Sequence, residues 1–228
     1  MKTPIFLALD VDSNKQAVEL AKKTAEYVGG FKIGPRLSMK YGEKLVSQLA
    51  DLAPVFVDNK YYDIPSTMEA SVRASFDAGA SFCTIHAQSG PEALRRMAAV
   101  EAELNDVRPF KILCVTILTS FDQGSLPVTQ KTNPIPEQVM ALIEQCRSCG
   151  LNSFVCSAEE VENIKKRFPD TYLVTPGIRL PEDAADDQKR VMGPKMAIDL
   201  GADALVVGRP ITKAENPALA AKKFFESL

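Results

Sequence analysis

The chain has 228 residues and a net charge of −2, with 46% hydrophobic and 25% charged residues. This is globular composition, and it excludes a disordered or fibrous chain and any global pull toward nucleic acid or anionic lipid. A single histidine, His86, excludes multi-histidine zinc centres and leaves only one residue through which a Ser-His-Asp triad could run.

Short apolar runs alternate with longer stretches of helical period along the whole chain. The first strand is expected over Pro4–Leu9, and its apolar run is too short for a signal peptide and is cut by Asp10 and Asp12. Ser13 is the expected N-cap of a helix whose apolar face is Ala17, Val18, Ala21, Ala25 and Val28, with Gly29-Gly30 stopping it. Strands are then expected over Phe31–Ile33, Val55–Asp58, Phe82–His86, Lys111–Leu118, Ser153–Cys156, Tyr172–Thr175 and Ala204–Val207. The helices that follow them are expected over Arg36–Asp51, Thr67–Gly79, Pro91–Leu104, Pro136–Gly150, Ala158–Phe168, Lys189–Gly201 and Pro217–Leu228.

Eight strands, each followed by a helix, predict an α/β fold: a single (β/α)8 barrel over 1–228. Periodicity does not show closure, so a doubly wound open sheet stays open at this point. Neither GxGxxG nor GxxxxGK[ST] follows any strand. No apolar run approaches the ~18 residues of a membrane span. Cys83, Cys114 and Cys156 sit in apolar runs, and Cys146-Arg147-Ser148-Cys149 falls at a helix C-terminus, so the cysteines read as core residues of a cytoplasmic protein.

Barrel active sites form at the C-terminal strand ends, and there the polar residues gather. The first strand ends in Asp10 and the second carries Lys32. The third ends Asp58-Asn59-Lys60-Tyr61-Tyr62-Asp63-Ile64-Pro65, the fourth His86, the fifth Thr119-Ser120, the seventh Thr175-Pro176-Gly177 and the eighth Gly208-Arg209. Residues two apart in a strand share a face, so Asp58 and Lys60 are expected to point inward together, with Asp63 beyond the strand end. Buried charges must pair, so three carboxylates and two lysines at one mouth predict a coupled array. Gly208 and Arg209, beside a helix N-terminus, suit a phosphate, and the segment from Pro176 through Gln188, with Arg179, is a candidate lid. His86 reads as a structural histidine, and Phe224 and Phe225 as barrel packing rather than a membrane anchor.

These elements resemble the orotidine 5′-phosphate decarboxylase family across essentially the whole chain. The likeness is carried by Leu7-Ala8-Leu9-Asp10, Phe31-Lys32-Ile33-Gly34, the Asp58-x-Lys60-x-x-Asp63-Ile64-Pro65 pattern, Leu118-Thr119-Ser120, Thr175-Pro176-Gly177-Ile178-Arg179 and Val206-Val207-Gly208-Arg209-Pro210. Asn59, Tyr61, Tyr62 and Ser66 depart from the family's usual wording, all at non-charged positions. The resemblance implies conversion of orotidine 5′-monophosphate to UMP with no cofactor and no metal. Lys60 would stabilise and protonate the C6 carbanion, with Asp58 beside it and Lys32 joining the array. Asp10 and Lys32 would contact the ribose, and Thr119 the pyrimidine edge. Gln188, Gly208 and Arg209 would hold the phosphate, with Arg179 nearby. Asp63, Ile64 and Thr67 belong to the same family set, Asp63 and Ile64 completing the partner's site in a homodimer. Relatives on the same scaffold that handle sugar phosphates with Mg²⁺ want a carboxylate near the place of Lys32, where this chain has a cation. A silent barrel that only binds ligands or assembles is the reading from another class.

Overall fold

In the computed structural model, which describes residues 3–181, 183 and 190–228, eight parallel strands pair in chain order. They are β1 (Ile5–Ala8), β2 (Gly30–Ile33), β3 (Val55–Tyr61), β4 (Phe82–His86), β5 (Lys111–Val115), β6 (Ser153–Val155), β7 (Tyr172–Thr175) and β8 (Ala204–Val207). Leu7 pairs with Val207 as well as with Phe31, so the first strand meets the last and the sheet closes into a barrel. The open-sheet alternative falls on that pairing.

The helices are α1 (Asn14–Thr24), α2 (Pro35–Ala50), α3 (Pro65–Asp77), α4 (Gly90–Asn105), α5 (Ile135–Ser148), α6 (Ala158–Arg167), α7 (Pro194–Asp199), α8 (Arg209–Thr212) and α9 (Pro217–Glu226). Ser13 caps α1 by accepting the Gln16 amide hydrogen, and Ser157 and Glu160 form a reciprocal capping box on α6. Pro residues occupy first-turn positions in α2, α3, α4, α5, α7 and α9, where a missing N–H costs nothing.

Several boundaries differ from the sequence expectation. The first helix ends at Thr24, so Val28 packs beyond it, and Gly30 opens β2 instead of stopping a helix. A Cβ on Gly30 would lie 2.4 Å from the Phe6 ring and 2.5 Å from the Pro54 carbonyl oxygen, so close approach is what requires glycine there. Lys111–Val115 is shorter than expected because β6 offers partners only to Val155. The helix expected from Lys189 has α7 as its described part, opened by Pro194, whereas Lys189 lies outside the described residues. The short α8 was not anticipated.

Alternation along the strands builds two cores. Ile5, Leu7 and Leu9, Phe31 and Ile33, and Val55 and Val57 face the surrounding helices. Phe6, Ala8, Phe56, Phe82, Leu113, Val174, Ala204 and Val206 fill the barrel itself. There the Phe6 ring meets Phe56 at 5.7 Å and Phe82 at 5.1 Å, both edge to face. The next inward positions toward the strand ends are polar: Asp10 after Ala8, Asp58 after Phe56, Thr84 after Phe82. A dry floor therefore lies under a charged mouth. On the outside, Phe224 of α9 is buried while Phe225 meets the Tyr27 ring at 6.3 Å, in keeping with a packing role for that helix. No helix among the described residues is long and apolar enough to cross a membrane.

Candidate active site

A cavity of about 830 Å³ opens at the C-terminal strand ends. Ala8, Phe56, Val115, Val155 and Val206 line its apolar part, and Asp10, Lys32, Asp58, Lys60, Thr119, Arg179, Gly208 and Arg209 its polar part. Strands with inward residues of one parity put these side chains together although they are scattered through the chain.

The centre is a chain of alternating charge. Lys32 Nζ lies 3.7 Å from Asp10 Oδ1 and 3.3 Å from Asp58 Oδ2, and Lys60 Nζ lies 2.8 Å from Asp58 Oδ1. Lys32 is buried, which disfavours its charged form, but the Asp58 and Asp10 carboxylates outweigh burial and raise its pKa above the ordinary lysine value. Burial likewise disfavours the Asp58 carboxylate, and the Lys32 and Lys60 charges outweigh it and hold the carboxyl below its usual range. The two shifts agree in sense, so Asp58 and Lys32 stay ionised as a pair around neutral pH.

Lys60 reaches this position by a route that strand alternation does not describe. Val57 pairs with Cys83 and Tyr61 with Ile85, so β3 carries two more residues than β4 across the same span. Lys60 takes a left-handed backbone, φ 51°, alone among the described non-glycine residues. Such a conformation costs about 1–2 kcal/mol for an L-residue and persists only where the surroundings enforce it. The bulge is tied on its outer side: Ser38 Oγ donates to Asn59 Oδ1 at 2.7 Å, Asn59 Nδ2 donates to the Tyr61 hydroxyl at 3.1 Å, and that hydroxyl lies 2.8 Å from Ser75 Oγ. Two of the positions that depart from the family wording, Asn59 and Tyr61, are therefore the ones that pin the bulge to α2 and α3.

Other candidates fall into three groups. Thr119, Gly208, Arg209 and Arg179 line the cavity, with Arg209 opening a helix of only four residues, so the guanidinium and backbone N–H groups rather than a helix dipole would meet an anion there. Asp63, Ile64 and Thr67 do not join the cavity within one chain: all three are exposed between β3 and the first turn of α3, with Ile64 63% exposed and its amide bonded to Asp63 Oδ1 at 2.7 Å. Asp12 also lines the cavity, paired at 3.5 Å with Arg36. Gln188 lies outside the described residues, as does much of the expected lid.

Arg36 and Lys213 line the same cavity and were missed, because the start of a helix and the turn after Gly208-Arg209 each look like ordinary solvated positions. Thr84 was missed as well. Its signal was a polar residue on the inward face of β4, between Phe82 and His86.

His86 ends β4 with its ring 5.5 Å from Tyr62. Burial, and next the Lys60 charge, hold its imidazole below the ordinary value. The unfolded chain takes up that proton near pH 6.5, before the native protein does. The associated stability is therefore present above about pH 6.5 and lost as pH falls toward the lowered native value. His86→Gln is expected to flatten the pH dependence of thermal unfolding just below about pH 6.5, and an unaltered slope would exclude this origin. Because His86 is the only histidine, no other imidazole can supply the effect.

The free cysteines are all buried, and Cys149 caps the C-terminus of α5, as expected of core residues.

The model of the orotidine 5′-phosphate decarboxylase / HUMPS family matches residues 3–224. The chain belongs to that family. It is an enzyme of the carboxy-lyase class. The orotidine 5′-phosphate decarboxylase of Trichlorobacter lovleyi is 38% identical over 230 residues, covering 100% of this chain and 95% of that protein. That of Dichelobacter nodosus is 39% identical over 99% of each chain. The crystal structure of orotidine 5′-phosphate decarboxylase from Lactobacillus acidophilus superposes with a TM-score of 0.84 at 30% identity, covering 98% of each chain. Family membership and closed barrel thus agree with the Asp-x-Lys-x-x-Asp-Ile-Pro resemblance, which rested on the residues around Lys60.

Proposed function

We propose that this chain removes CO2 from orotidine 5′-monophosphate to give UMP, without metal or cofactor, through a C6 carbanion that Lys60 stabilises and protonates. The observation that carries the reading is the Lys32–Asp58–Lys60 array over an apolar floor, with Arg209 lining the same cavity. When the C6–carboxylate bond breaks, its electron pair stays at C6 in the plane of the ring, with no adjacent electron sink. Enzymes reach large accelerations with about 8–23 kcal/mol of transition-state stabilisation, and such a carbanion requires the upper part of that range.

The Lys60 ammonium supplies a fixed positive charge where negative charge develops, and then the proton that replaces CO2. Asp58, held ionised by two lysines, orients that ammonium and stands beside the departing carboxylate. Repulsion between the two carboxylates is the smaller contribution, because Asp58 is already neutralised by Lys32 and Lys60. Asp10 and Lys32 would take the ribose hydroxyls and Thr119 the pyrimidine edge. Gly208 and Arg209 would take the phosphate, with Arg179 near them and Gln188 from the adjoining segment. The Lys32 ammonium between two carboxylates neutralises what a Mg²⁺ ion would need as ligands, which favours this reading over the metal-dependent sugar-phosphate chemistry on the same scaffold.

The reading includes a single catalytic domain over 1–228, a cytoplasmic location, Thr67 as a substrate contact, and a homodimer in which Asp63 and Ile64 complete the partner's site. The exposure of Asp63 and Ile64 supports this, since an apolar Ile64 beside a strand end gains by being covered. The test is the ultraviolet absorbance of orotidine 5′-monophosphate with purified protein at neutral pH in EDTA. Loss of the orotate absorbance with the native chain is expected. A folded protein that leaves it unchanged would shift the assignment to Mg²⁺-dependent sugar phosphates.

A further inference from the structure

We propose that Thr84 is a positioning residue for the Asp58–Lys60 pair, one hydroxyl on β4 setting both the backbone of the lysine and the carboxylate beside it. The inference rests on the reading that this pair performs the decarboxylation. Thr84 is fully buried and does not line the cavity, so it touches no substrate and acts only through its two neighbours.

The geometry assigns each half of the hydroxyl. Thr84 Oγ1 accepts the Lys60 amide hydrogen at 2.9 Å and lies 3.1 Å from Asp58 Oδ1, which has no proton to give while ionised. The hydroxyl hydrogen must therefore point at Asp58, and a lone pair at Lys60. The Lys60 amide needs such a partner because the two-residue bulge takes it out of register with β4. A buried amide with no acceptor is costly, and Thr84 supplies an acceptor at the one described non-glycine residue whose backbone is left-handed. The same Asp58 oxygen receives Lys60 Nζ at 2.8 Å. Amide, hydroxyl, carboxylate and ammonium thus close a ring that begins and ends on Lys60, fixing the main chain and the side-chain tip together. A misplacement of a reacting group by about 1 Å can cost roughly 100-fold in rate.

The decisive variants are Thr84→Val, which keeps the shape and removes the hydroxyl, and Thr84→Ser, which keeps the hydroxyl. Turnover of orotidine 5′-monophosphate is normalised to sites counted by UMP binding. The valine variant is expected to lose about 30- to 100-fold in kcat with KM within about threefold of the native protein, and the serine variant to stay within about threefold in both. A second readout does not need turnover: the ¹³C titration of the Asp58 carboxyl, assigned with Asp58→Asn. Asp58 is faced by Lys32 from β2, Lys60 from β3, Thr84 and His86 from β4, and through Lys32 by Asp10. Of these only the Thr84 hydrogen bond changes, so the Asp58 midpoint should rise in the valine variant and not in the serine one. A loss of packing alone would lower the melting temperature without that split.

The proposal is overturned if the valine variant keeps kcat within threefold, if serine loses as much as valine, or if the Asp58 midpoint does not move in the valine variant. Should Thr84→Val fail to fold, Thr84→Cys, a weaker donor of similar size, carries the same measurements. A native chain that does not turn over the substrate refutes the functional reading, and the carboxyl titration then still decides whether Thr84 holds Asp58.

Discussion

Lys60→Ala is expected to abolish nearly all turnover, by at least about 10⁴-fold in kcat, while UMP still binds. The size follows from two roles lost together. A preorganised charge at the site of developing charge is worth about 10²–10³-fold, and positioned proton donation another 10²–10⁴. Binding should survive because the Asp58 carboxylate keeps Lys32 at 3.3 Å, so the substitution does not leave an uncompensated buried charge. The Arg209 side of the cavity is untouched. Single-turnover absorbance gives the rate, and calorimetry with UMP gives the affinity. Residual decarboxylation within 100-fold of the native chain would remove Lys60 from the centre of the mechanism.

Arg209→Ala is expected to act through the phosphate alone. A charge-assisted hydrogen bond contributes about 1.5–3 kcal/mol, so kcat/KM for orotidine 5′-monophosphate should fall roughly 10- to 150-fold. For the nucleoside without phosphate the same substitution should change kcat/KM by less than about twofold, because the lost partner is absent from both reactions. Part of the loss is expected in kcat, since binding energy from a remote group can be expressed in the transition state. Equal losses on both substrates would mean that Arg209 supports the cavity wall and does not read the phosphate.

The ionisation of the array also bears on pH. Asp58 is held below its unfolded value, so its contribution to stability is present above about pH 4 and is lost as pH falls through the depressed native value. Lys32 is held above its unfolded value of 10.5, so its contribution is complete below that pH and is lost as pH rises through the raised native value. The pair therefore gives a broad plateau across neutral pH. The dip that His86 introduces on the acid side should stand out against that plateau.

Much of this architecture could be read from the residues. Phe6, Ala8 and Asp10, Phe56 and Asp58, and Lys32 between Phe31 and Ile33 show by alternation alone which side chains enter the barrel and that its mouth is charged. β4, β7 and β8 begin and end where the apolar runs do. Helix ends were less legible. Val28 and Gly29 continue the apolar pattern of α1 after its hydrogen bonding has stopped, and a fraying end is decided by a few tenths of a kcal/mol that no local pattern records. Arg36 and Lys213 escaped notice because a charge near a helix start is usually solvated, and only the cavity shows that these two are not on an ordinary surface.

Lys60 marks the boundary between the two kinds of information. Its inward direction was expected from Asp58 two residues earlier, and it does meet Asp58, but through a left-handed residue in a bulge and not through a regular strand. The run Asp58-Asn59-Lys60-Tyr61 has no apolar–polar alternation to mark a register, so the two extra residues are not legible locally. They appear only when β3 is matched against β4, where Thr84, 24 residues away, fills the gap. Side-chain parity is a property of one strand with a period of two, and composition and order already determine it. Closure, register and the pairing of Lys32, Asp58, Lys60 and Thr84 depend on strands separated by whole helices. Their relative placement comes from packing across the barrel, and it takes the assembled tertiary structure to decide it.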